Sequence, residues 1–160
     1  MKSLFIISIL FFLQCAAFGQ GKIAVRKYFN YSNKVFEPGE IKILNRNALT
    51  YKSTLPRKEN SYPSLDSLAR FLQLNRSLKI EIGYYSDTST NLNLILKFSQ
   101  MRADWIAGYL EVKGISKERL SSVGYGPKSP IYPNRNRNGT INKESSIRNR
   151  RAEIKIISTQ

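Results

Sequence analysis

Asp87 and Arg102 are the two charges in this chain best placed to act together. Asp87 closes a strand-like run, Ile80-Glu81-Ile82-Gly83-Tyr84-Tyr85-Ser86-Asp87, and Arg102 follows fifteen positions later inside a helix-like run. A carboxylate at the mouth of a strand and a guanidinium on the next helix can meet in one crevice. There they can grip a small zwitterion, Asp on its ammonium and Arg on its carboxylate. Each residue also has a plainer reading. Asp87 is suited to capping the following helix or pairing with a nearby Lys. Arg102 is suited to a helix-surface ion pair with Asp104 or Glu111.

Catalysis finds little support. The chain contains no His, which removes imidazole bases and imidazole metal ligands. No Gly-x-Ser-x-Gly, Ser-x-x-Lys or phosphate-loop pattern occurs. Asp87 and Asp104 could be imagined as a glycosidase pair, but nothing places them together, and Arg102 would keep Asp87 ionised. The expectation is a non-enzyme with no cofactor and no metal.

The elements that must position this pair begin after a leader. Met1-Lys2 gives a positive start, Leu4 to Leu13 is apolar except for Ser8, and Ala17-Phe18-Gly19 supplies small residues for a signal peptidase. Residues 1–19 therefore read as a signal peptide, 20–44 as an N-terminal extension and 45–160 as one domain. Cys15 is the single cysteine, and Gln14 before it argues against lipid attachment; its loss leaves no disulfide framework. No further apolar run is long enough for a transmembrane helix. The net charge is +15, or +14 once Lys2 leaves, which favours polyanions and carboxylate-bearing polymers. For an exported chain those are cell-wall peptide carboxylates or lipopolysaccharide phosphates, and nucleic acid is not expected.

Within the domain, Ser64 suits an N-cap, and Leu65, Leu68, Ala69 and Leu72 predict a helix over 65–75. Leu78, Ile80 and Ile82 alternate with Lys79 and Glu81 as in a half-buried strand. The longest helix is predicted over 92–112, with Ile95, Phe98, Ala103, Ile106, Tyr109 and Leu110 inside and Lys97, Gln100 and Glu111 in water. Gly114 ends it. Leu120–Tyr125 and Ala152–Ile157 are strand candidates, as are the shorter stretches Val25–Tyr31, Ile41–Leu44 and Ala48–Tyr51. Residues 134–149 read as a polar loop with an Asn138-Gly139 turn. Two helices would then cover one face of a mixed β-sheet.

A series of short motifs links these elements: Tyr84-Tyr85-Ser86-Asp87, Phe98-Ser99-Gln100-Met101-Arg102-Ala103, Tyr109-Leu110, Gly114-Ile115, Arg119-Leu120, Gly124-Tyr125-Gly126 and Asn149-Arg150-Arg151-Ala152-Glu153-Ile154. In this order and spacing they resemble the OmpA-like peptidoglycan-binding domain of outer-membrane proteins, peptidoglycan-associated lipoproteins and flagellar stators. The resemblance implies a βαβαββ α/β sandwich and non-covalent binding of the peptidoglycan stem peptide. It implies that Asp87 and Arg102 hold the ammonium and carboxylate of diaminopimelate, with a hydroxyl or backbone contact from Ser86. Tyr85, Ile95, Asn149 and Arg150 are supporting candidates, the Arg150-Arg151 pair as braces. The resemblance also implies a periplasmic location with the cell wall and outer membrane.

The chain departs from the family pattern at Tyr84 for Gly, Tyr85 for His, Thr90 for Gly and Ile95 for an Asn that lines the site. Two further readings therefore stay open: a scaffold for contacts with other envelope proteins or a homodimer partner, and polyanion binding, including lipopolysaccharide, through the basic segment 135–151.

Overall fold

A computed structural model of the chain describes residues 26–44, 61–87 and 91–160. The leader, residues 20–25, the Ala48–Tyr51 stretch and most of the 52–63 loop lie outside them.

The elements run β1 (Ile41–Leu44), α1 (Pro63–Leu74), β2 (Lys79–Tyr85), α2 (Leu92–Val112), a 3-10 turn (Lys117–Arg119), β3 (Leu120–Gly126), α3 (Lys143–Asn149) and β4 (Arg151–Ser158). They build a four-stranded mixed sheet in the order β1-β4-β2-β3. β4 is antiparallel to both neighbours, while β2 and β3 are parallel and joined through α2. That β2-α2-β3 crossover brings the carboxyl ends of two strands and the start of a long helix to one end of the sheet. Ligand crevices form at such strand ends in open α/β sheets.

Period-two alternation splits the sheet cleanly. Ile80, Ile82, Tyr84, Ala152, Ile154 and Ile156 are buried in one core with Leu65, Leu68 and Leu72 of α1 and Ala103, Ile106 and Leu110 of α2. The other face carries charge: Arg26 and Arg151 both pair with Glu153.

Helix boundaries follow local chemistry. α1 opens with Pro63 at a first-turn position and Tyr62 as its N-cap residue, so the expected Ser64 cap is displaced by two residues. Proline fits there because its missing N–H has no helical partner anyway. Asp66 instead accepts from the Tyr62 N–H and the Ser61 hydroxyl. The C-terminal end of α1 is held by Arg119, whose guanidinium donates to the carbonyls of Leu72, Asn75 and Leu78 at 2.8–2.9 Å. α2 has the predicted bounds, with the Asn91 side chain accepting from the Leu94 N–H at 3.0 Å.

Its buried face differs from the expected one. Phe98 is 46% exposed, and Ile95 only partly buried, whereas Ser99 and Trp105 are inside. Further along the helix Tyr62 packs edge-on against Trp105 and Tyr109. Phe98 lies on the same stripe as Trp105 but beyond the reach of that cover. Gln100, expected in water, wedges against β3, donating to the Ser122 carbonyl and accepting from the Gly124 N–H at 2.8 Å.

Two other expectations are corrected. Val25–Tyr31 contributes only an isolated bridge, Tyr28 to Ile41, among its described residues. The 134–149 loop contains α3, capped by Asn142, with Ser145, Ser146 and Asn149 buried.

Asp66 ties the two long helices together. Burial pushes its carboxyl upward, but hydrogen bonds from Tyr109 (2.6 Å), Ser61 and Lys113 outweigh this and hold it below the ordinary value of 3.8. A depressed carboxyl stabilises the fold above its unfolded value and loses that contribution as pH falls through the folded one. Asp66→Asn should cost about 1 kcal/mol at neutral pH. In urea titrations repeated across pH, the gap between variant and wild type should close on the acid side. A gap constant with pH would mean that Asp66 acts only through packing.

Candidate functional site

The end of β2 turns a short polar segment into the crevice. The Ser86 N–H donates to the Gly126 carbonyl at 2.7 Å, fixing this segment to the end of β3. The Ser86 hydroxyl is buried and shares a 3.0 Å hydrogen bond with Ser99 of α2. Ser86 thus joins strand to helix, with its hydroxyl held by Ser99 and its N–H by Gly126. Gly126 has φ of +59°, and a Cβ there would meet Ile95 and Leu96. Leu96 and Ile95 of α2 therefore pack over the end of β3 with apolar surface.

Asp87 follows, partly exposed, with its Oδ2 3.9 Å from the Nε of Arg150. Arg102 projects from α2 with its guanidinium 5.1 Å from the centre of the buried Tyr84 ring. A cation over an aromatic face is attracted by the ring quadrupole, so Tyr84 props the guanidinium without using its hydrogen-bond donors. Among the described residues, no ion pair joins Asp87 to Arg102. The plain reading of Asp87 holds in part, as an ion pair with Arg150 rather than a Lys, while its capping role and the Arg102–Asp104 pair do not form. Asn91, not Asp87, caps α2, and the Asp104 carboxylate accepts from Gln100 (2.7 Å) and Ser122 (2.6 Å) instead of Arg102.

Tyr85 is not brought to this crevice. Consecutive strand residues face opposite ways, and its ring lies on the helix-free face, stacked on Tyr125 at 4.8 Å and beneath Arg151 at 4.0 Å. Burial first, with the Glu153 charge beside it, pushes the Tyr85 hydroxyl up to about 12.

Asn149 is almost fully buried, and its amide is fully occupied. It accepts from the N–H groups of Ile131 and Tyr132 and donates to the Tyr132 carbonyl and Asn134 Oδ1. It shapes the loop beside the site. The expected pair of braces also divides. Arg151 points to the far face, bonded to Glu153 and to the carbonyls of Asn149 and Ser129, whereas Arg150 turns toward Asp87. The Nε of Arg150 is buried and has no hydrogen-bond partner.

Asp87 thus stands beside one guanidinium, that of Arg150, and a second, that of Arg102, stands over the ring of Tyr84 at the end of β2. Groups of these types can hold a ligand that bears both charges. Among the described residues no group of three or more His, Cys, Asp or Glu could hold a metal, and no helix is long and apolar enough to cross a membrane.

Comparison with known proteins gives this geometry a context. A 99-residue stretch is 33% identical to part of the photosystem I P700 chlorophyll a apoprotein A2 of Gloeobacter violaceus, covering 62% of this chain and 11% of that protein. The peptidoglycan-associated lipoprotein of Buchnera aphidicola is 29% identical over 127 residues, 78% of this chain and 69% of the relative. The chain therefore spans only part of its curated relatives, and a small part of the first. The periplasmic domain of Helicobacter pylori MotB superposes with a TM-score of 0.58 at 20% identity, over 78% of this chain and 79% of that one, which shows a shared fold. Residues 50–144, more than half of the chain, match the OmpA family, and the chain belongs to it.

Proposed function

We propose that this chain is a non-catalytic module that holds the peptide stem of peptidoglycan without a covalent bond, in the periplasm beside the cell wall and outer membrane. Asp87 takes the ammonium and Arg102 the carboxylate of the zwitterionic end of a diaminopimelate residue, with backbone contact at Ser86. The observation that supports this reading is Arg102 of α2 propped on Tyr84 of β2, the strand that Asp87 follows, with the Arg102 donors free of Asp87. Membership of the OmpA family supports it, as does the printed name of the peptidoglycan-associated relative.

Co-sedimentation with purified sacculi tests the reading. Wild type should pellet with the wall. Arg102→Ala and Asp87→Ala should each bind roughly tenfold to a hundredfold more weakly, the range expected from losing a charged hydrogen-bonded partner. Both should keep the circular dichroism of wild type, since neither side chain is in the core. Equal sedimentation of all three proteins would remove Asp87 and Arg102 from the site.

A second reading, a scaffold for protein contact, is favoured by one observation. Leu94, Phe98 and Met101 leave an apolar stripe, each 45–46% exposed, along the first half of α2. Failure of the folded wild type to sediment would favour it. The polyanion reading loses ground because 135–151 is not simply a free basic loop. Arg135 bonds the Gly139 carbonyl, Arg148 pairs with Glu144, and Arg151 is buried.

A further inference from the structure

Beside the clamp, on the β1 side, lies a groove of about 380 Å³ between β1, the loop before α3 and α3 itself. Its walls are apolar, from Ile43, Ile131, Tyr132 and Ile147, and its rim carries Arg148 and Arg150. Ile43, Ile131 and Tyr132 are each 37–39% exposed, so hydrocarbon from β1 and from the loop before α3 faces one opening. No acidic residue lines it. Arg148 is paired with Glu144, but both side chains are more than half exposed, and such a surface pair yields readily to a better placed carboxylate. Arg150 belongs to both places. It lines the groove, it stands 3.9 Å from Asp87, and its buried Nε lacks a hydrogen-bond partner.

We infer that this groove is a second subsite of the same binding face, holding a further carboxylate of the wall peptide together with the apolar group next to it. The inference rests on the stem-peptide reading above. Charge complementarity sets the chemistry: of the three lining guanidinium groups Arg151 is held by Glu153, and Arg148 and Arg150, with no lining acid, select an anion, while the isoleucine walls select an aliphatic neighbour. Continuity sets the occupant. Because Arg150 touches the clamp and the groove at once, a peptide seated by its zwitterion at Asp87 and Arg102 delivers its next carboxylate to Arg150 and Arg148. The two subsites then act on one ligand, and the second binding event is intramolecular.

The experiment uses the full mature chain with labelled isoleucine methyl groups and backbone amides, followed by NMR. Free diaminopimelate should shift the amides of Asp87 and Arg102 and leave the methyls of Ile43, Ile131 and Ile147 in place. A stem peptide containing diaminopimelate should shift both sets. Arg148→Gln should weaken the peptide roughly fivefold and leave free diaminopimelate unaffected, and Ile43→Asp, which places a carboxylate at the groove, should weaken it roughly tenfold. A peptide that shifts only the Asp87 and Arg102 amides, or binds both variants as tightly as wild type, overturns the subsite while the clamp stands. Methyl shifts of equal size with inorganic phosphate alone overturn it in favour of a phosphate site. No response to either diaminopimelate or peptide overturns clamp and subsite together.

Discussion

Replacing Gly124 by alanine should destabilise the domain by about 3 kcal/mol or more and abolish wall binding with it. α2 crosses β3 at this residue so closely that a Cβ would stand 2.7 Å from the Gln100 Cα and 2.8 Å from the Ser99 carbonyl carbon. Both are backbone atoms of a helix, so no side chain can swing away to relieve the clash. The helix itself must move. Ser99 anchors Ser86, and Gln100 anchors the Gly124 N–H, so the displacement breaks the strand-to-helix link under the site. Arg102 lies within one turn of that point. Urea unfolding should show a lower midpoint with an unchanged slope. Gly139→Ala is the matching control. Gly139 has a positive φ, +82°, which Gly124 does not, but a Cβ there meets nothing within 4 Å, so only the backbone strain of about 1–2 kcal/mol applies. Equal effects at the two positions would show that close helix packing is not what Gly124 provides.

Arg151→Met should cost about 3–5 kcal/mol, the range for breaking a buried ion pair and leaving one charge behind. Arg151 is 3% exposed, bonds Glu153 at 2.6 Å, and donates to the carbonyls of Asn149 and Ser129. Its guanidinium also lies over the Tyr85 ring, which stacks in turn on Tyr125. The loss removes partners from a buried carboxylate, from the end of α3 at Asn149 and from the loop at Ser129. Arg26 still reaches Glu153 at 2.7 Å and limits the damage. Arg26→Met alone should therefore be mild, since its side chain is 34% exposed, and the double variant should exceed the sum of the singles. Additive effects in a double-mutant cycle would show that the two arginines do not share Glu153.

The sequence is informative where one physical signal dominates. Long apolar periodicity located α2 to the residue, and the alternation through Leu78, Ile80 and Ile82 located β2. Asp87 and Arg102 stood out through the motifs around them, because each charge taken alone reads as an ordinary cap or surface pair. Other features depend on competition between neighbours. Ser64 is a good cap by type, but Pro63 takes the first turn because its ring presets the dihedral. α3 escaped notice because seven residues rich in Ser and Asn carry almost no apolar period; its signal was Asn142 three residues before Ser145, a cap with its acceptor in place. Phe98 was placed inside from its helical phase alone, yet only the later part of that stripe is covered by Tyr62. The division of Arg150 from Arg151 follows from the boundary between them, since Arg150 caps α3 and Arg151 opens β4. The orphaned Nε of Arg150 and the groove beside it depend on four separate segments meeting, and no local pattern encodes that.

The proposed clamp makes one chemical demand that can be measured directly. As proposed, it takes a ligand with an ammonium and a carboxylate on the same carbon, which satisfies Asp87 and Arg102 together. Calorimetric titration of the wild-type chain should therefore compare two stem peptides that differ only at the third residue, diaminopimelate in one and lysine in the other. Lysine keeps the ammonium and lacks the carboxylate, which leaves Arg102 without a partner. Binding of the diaminopimelate peptide should be tighter by roughly tenfold to a hundredfold, and Arg102→Ala should erase the difference. Equal affinity of wild type for the two peptides would contradict the clamp.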